Sequence, residues 1–175
     1  KNKVVLLINR KTLLSKVLKN IVVIPYDKDE QEVDALYGFP KEFRNNFWFT
    51  SLARFSILKK YMKISCKSVL HIESDVIMSR DFPINSFLTE TKGLAFPIVS
   101  DKRAIASTVF LRDMESSEEF WKFAKEEVRK NSLLSDMEVL FRFAKTFPKK
   151  VRNLEIAPRS LHSNKPINKS EESVR

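Results

Sequence analysis

Glycine is the scarcest of the common residues. The 175-residue chain has two, Gly38 and Gly93, where average usage predicts roughly 12. No GxGxxG fingerprint and no GxxxxGK[ST] phosphate loop can be written, so a glycine cradle for nucleotide phosphate is excluded. One cysteine, Cys66, excludes an internal disulfide framework and any multi-cysteine zinc site. Two histidines, His71 and His162, exclude a His-rich metal centre. No apolar run approaches the ~18 residues of a membrane span. The chain opens on Lys1 rather than Met, without a visible signal peptide, and reads as a fragment or processed form.

What is present is cationic and aromatic. There are 32 Lys+Arg against 22 Asp+Glu, a formal charge of +10, and 14 Phe. The apolar content suffices for one core and argues against disorder. Val4 to Ile8 and Ile21 to Ile24 read as buried strands, the second stopped by Pro25, with a short helix from Thr12 to Leu18 between them. Trp48, Leu52, Phe55, Leu58 and Met62 recur on one face, which predicts a helix over 47–63. Ser68 to Ile72 reads as a strand, and so do Leu94 to Val99 and Ile105 to Leu111. Two capping boxes are expected, Ser116 to Glu119 and Ser135 to Glu138, each opening an amphipathic helix. This alternation predicts an α/β fold with an open, mostly parallel central sheet and flanking helices. Residues 1–150 form the expected domain. Residues 151–175 are expected as a basic C-terminal tail, since seven Lys/Arg face three Glu from Lys149 onward.

The chemistry concentrates in Val69-Leu70-His71-Ile72-Glu73-Ser74-Asp75. A strand ends in two carboxylates at i and i+2, which share a side in extended chain. At the carboxyl end of a strand that side opens on the ligand crevice of an α/β sheet. Two such groups repel unless a cation lies between them, and oxygen ligands suit Mg²⁺ or Mn²⁺. A nucleotide diphosphate could then bind without a glycine loop. The bland alternative makes Glu73 and Asp75 turn residues. Asn9 and Arg10 follow the first strand, where a nucleotide base can lie. His71, inside a strand, reads as a packed, hydrogen-bonded histidine. The tryptophans and phenylalanines read as core rather than as sugar platforms.

Phe49-Thr50-Ser51-Leu52-Ala53-Arg54-Phe55-Ser56-Ile57-Leu58, followed by the segment Ser68 to Met78, resembles the core of GT-A-fold nucleotide-sugar glycosyltransferases, with a layout similar to the family-8 type. The resemblance runs in order from about Trp48 to Phe143 and implies a GT-A-like (Rossmann-like) fold. It implies Glu73 and Asp75 as the acidic metal-binding motif, with His162 completing the metal set. It implies Arg54, Ser107 and Lys165 at the donor, and Asp136 at the opening of a helix facing donor sugar or acceptor. Glu73 stands where the family has Asp, and Thr108 where it has Gly. The activity implied is metal-dependent transfer of a sugar from a nucleotide-diphosphate-sugar, UDP-sugar foremost, to a hydroxyl of a glycan, glycolipid or protein. Asp136 or Glu138 would serve as the base of an inverting reaction.

Two other readings fit the composition. One is a catalytically degenerate GT-A-like binding domain. The other is a basic protein that binds nucleic acid or anionic lipid, although no nucleic-acid motif is present. A cytoplasmic location, with peripheral contact to anionic membrane, is the expectation from the single cysteine and the positive charge.

Overall fold

A computed structural model describes residues 4–9, 21–26, 47–65, 67–73, 75–76, 82 and 89–154, with backbone alone at 4–9, 21–26 and 47–49. The fold is α/β. Strands β1 (Val4–Asn9) and β2 (Ile21–Tyr26) pair in parallel, Val4 opposite Ile21 through Asn9 opposite Tyr26. The pairing runs through Pro25 rather than stopping there. A proline lacking its N–H is tolerated in a strand with one described neighbour.

Helix α1 (Phe47–Ser65) follows, then strands β3 (Val69–Ile72), β4 (Leu94–Phe96) and β5 (Thr108–Leu111). Helices α2 (Met114–Lys130) and α3 (Asp136–Thr146) come next, then a 3-10 turn (Pro148–Lys150) and strand β6 (Val151–Asn153). The second sheet has the order β3-β5-β4-β6. Its β3–β5 and β4–β5 pairs are antiparallel, and only β4–β6 is parallel. The sheet is therefore mixed rather than mostly parallel. Residues 97–107 hold no helix, and a helix-free connection returns the chain antiparallel, here through the Ile98–Ala104 bridge. Strand pairing continues through Val151–Asn153, inside the stretch expected as tail. Residues 155–175 lie outside the described residues, as does the expected helix at 12–18.

Alternation divides the sheet's two faces. Val69, Leu94, Phe96, Val109 and Leu111 face the main core, whereas Leu70, Ala95 and Phe110 join Phe82 and Leu154 on the other side. The predicted face of α1 is the buried one: Leu52, Phe55, Leu58 and Met62 are all in the core. Phe55, Phe120 and Phe143 form an edge-on chain across α1, α2 and α3, with centroids 4.9 and 5.3 Å apart. Each such buried ring contributes about 2–3 kcal/mol of transfer free energy. Buried Glu127 fastens α2 to α3, accepting from Lys130 Nζ and Arg142 Nη1 at 2.8 Å each. Those bonds hold its carboxyl below the ordinary range.

Helix α3 opens on the expected capping box. The Ser135 hydroxyl accepts from Glu138 N, and Glu138 Oε2 accepts from Ser135 N at 2.9 Å. The box expected at Ser116 does not form. Helix α2 begins three residues earlier, capped by Asp113, whose Oδ1 accepts from Ser116 N at 2.8 Å.

Candidate functional site

The carboxyl end of β3 gathers three of the expected residues from three elements. Arg54 projects from the middle of α1, one residue before core residue Phe55, so its stem is partly covered and its head reaches the sheet end. Its Nη1 donates to Glu73 Oε1, and its Nη2 donates to Asp136 Oδ2. Asp136 sits in the first turn of α3, where the dipole favours a carboxylate. The pairs grade inward: the side chains of Glu73, Arg54 and Asp136 are 36, 19 and 5% exposed.

Burial dominates the electrostatics at Asp136. It raises the Asp136 carboxyl above its ordinary 3.8, against the opposing pull of Arg54 and of the hydrogen bond from Met137 N. His71 lies one strand step before Glu73 on the core side of β3, opposite Val109. Burial first, and the Arg54 charge second, push its imidazole down to about 4, while Glu73 pulls the other way. His71 is packed as expected, but its buried Nε2 has no hydrogen-bond partner among the described residues, nor has Arg54 Nε. The sequence placed this histidine in the packing and not at the site. Its spacing, two residues before Glu73 in a strand, was the available signal.

The remaining expected residues fall as follows. Asp75 is exposed in a turn closed by Val76 N donating to Glu73 O at 3.1 Å. Ser107 adjoins Glu73 through its backbone, its carbonyl accepting from Glu73 N at 2.9 Å. Glu138 is committed to Ser135, accepting from its hydroxyl at 2.7 Å as well as from its N–H, and does not join the cluster. Trp121 is core, 1% exposed. Asn9 ends β1, with its side chain undescribed; Arg10, His162 and Lys165 lie outside the described residues.

Arg54 thus answers two carboxylates, and Asp75 adds a third negative charge nearby in the chain. Among the described residues, no group of three or more His, Cys, Asp or Glu side chains is arranged to hold a metal. Glu73 Oε1 is already paired with Arg54, and Asp75 is exposed in the turn that follows. Among the described residues, no helix is long and apolar enough to cross a membrane. No protein-family model matches the chain, and no curated protein matches it either.

Proposed function

We propose that the chain is the nucleotide-sugar-binding domain of a GT-A-like, metal-dependent glycosyltransferase. One observation carries this reading. Arg54, Glu73 and Asp136, which the sequence resemblance assigns to diphosphate, metal and sugar, meet at the carboxyl end of one strand although 82 residues separate the outer two. A divalent cation held by Glu73 and Asp75 would supply Lewis-acid charge to the departing diphosphate. Arg54 would add fixed positive charge at the same place. Asp136, buried with a raised carboxyl pKa, has the environment of a proton acceptor for an acceptor hydroxyl. Ser107 stands beside Glu73, its carbonyl accepting from Glu73 N. UDP is the first donor base to try.

The test is calorimetric titration of UDP and of GDP, with and without Mn²⁺, on wild type and Asp75→Asn. Metal-dependent binding that weakens at least about tenfold in the variant supports the site. Equal binding by the variant, or no binding of either nucleotide, would sink it. A second reading has its own support. Arg54 closes on both carboxylates, as in a site that binds without turnover. Metal-dependent UDP binding with no hydrolysis or transfer from UDP-sugars would select the degenerate binding domain.

A further inference from the structure

The other end of the second sheet carries a basic cavity that the donor site does not use. Strand β3 ends at Ile72 beside Thr108, whereas Leu94, where β4 starts, pairs with Leu111 and with Val151 of β6. At that opposite end a cavity of about 400 Å³ is lined by Glu90, Lys92, Lys149, Lys150, Val151 and Arg152. The backbone beneath it is closely packed. A Cβ on Gly93 would lie 2.4 Å from the Lys150 carbonyl oxygen, so only glycine allows Lys92 to stand this close to the Pro148–Lys150 turn. Gly93 O also accepts from Arg112 N at 2.9 Å.

The cations divide into two kinds. Lys150 Nζ is held by Glu119 at 2.6 Å, and Arg152 Nη2 by Glu90 at 2.9 Å. Lys92 and Lys149 are exposed and make no ion pair among the described residues. Lys92 and Lys149 leave the cavity about two positive charges, matching a phosphomonoester dianion. The volume exceeds a bare phosphate and falls in the range of small-ligand sites, leaving room for the group that carries it. The cavity opens to solvent, so a phosphate carried on a larger molecule can reach it.

We propose that this cavity binds a phosphomonoester, with Lys92 and Lys149 as its principal contacts. The site stands independently of the donor reading. The test follows backbone amide shifts of Gly93, Val151 and Arg152 in the full chain. Ligands are inorganic phosphate, glycerol 3-phosphate, and vesicles of phosphatidylcholine with or without phosphatidic acid, the last read by co-sedimentation. The comparison is the Lys92→Gln/Lys149→Gln double variant, whose two changes are on exposed side chains. Saturable shifts with the soluble phosphates, weakened roughly tenfold or more in the variant, establish the site and a soluble source. Binding only to vesicles containing phosphatidic acid, lost in the variant, establishes it with a lipid source. No response to any probe, or a response equal in the variant, overturns it. A response to short RNA alone also overturns it, in favour of a nucleic-acid surface.

Discussion

Arg54 serves two carboxylates with one guanidinium, so the two partners stand or fall together. Replacing it strands Asp136 in a buried position with an uncompensated charge. Arg54→Met should cost about 2–3 kcal/mol, read from urea denaturation. Asp136→Asn in the same chain should recover part of that loss, because the double change removes the stranded charge. Strictly additive losses would mean the pair is not coupled. His71 gives the pH dependence. Its folded pKa, about 4, lies below the ordinary 6.5, so the unfolded chain binds a proton that the folded chain refuses. Its stabilisation is complete above pH ~6.5 and is lost as the pH falls towards ~4, up to about 3 kcal/mol in all. Asp136 acts in the opposite sense. Its raised carboxyl pKa makes folding more favourable below its ordinary 3.8, and that gain disappears as the pH rises through the folded value. The midpoint of denaturation should therefore fall between pH 6.5 and 4, and His71→Gln should flatten that fall. A variant with the wild-type slope would assign the loss to another group.

The elements show which sequence signals were usable. The helix at 47–65 was legible because five apolar residues spaced by three and four specify one face, and four of them are described as buried. The two Ser-x-x-Glu boxes looked alike in sequence, yet only Ser135 caps a helix. Asp113 stands three residues before Ser116 and claims its N–H, which starts α2 early and leaves Ser116 inside the first turn. A motif does not reveal a competing cap just upstream. Asp113→Ala should lose about 1 kcal/mol, whereas Ser116→Ala should stay within about 0.5 kcal/mol. Thermal denaturation of the two variants decides this, and equal losses would restore the box at Ser116. Strand direction was not legible. Apolar runs mark where strands lie, but their direction depends on the connections, and 97–107 turns the chain back without a helix. At the site, the i and i+2 carboxylates were visible as a pair. That Glu73 faces an arginine on α1 needed the packing of helix on sheet.

At the scale of the whole molecule, one of the chain's two glycines sets how closely the last turn approaches the sheet. Gly93→Ala forces the Lys150 carbonyl away and should cost about 2 kcal/mol, a fall of roughly 4–8 °C in Tm. An unchanged Tm would show that the turn shifts freely. The strand inside the stretch expected as tail was hidden for a related reason. Val151 to Asn153 carries only one apolar residue, too little to read as a strand, and its place is set by β4 rather than by its own pattern.

That late strand also bears on how the chain acquires its shape. β6 supplies the outer edge of a sheet whose neighbouring strand, β4, is completely buried. The pairing cannot form until residues 97–150 have been made and folded back, so it closes a long loop and belongs to the slow, late stage of folding. Until then β4 presents a bare row of hydrogen-bonding groups, the template on which chains add to one another. A chain ended at Lys150 would keep that state permanently. Its failure should appear as concentration-dependent association before any loss of helix.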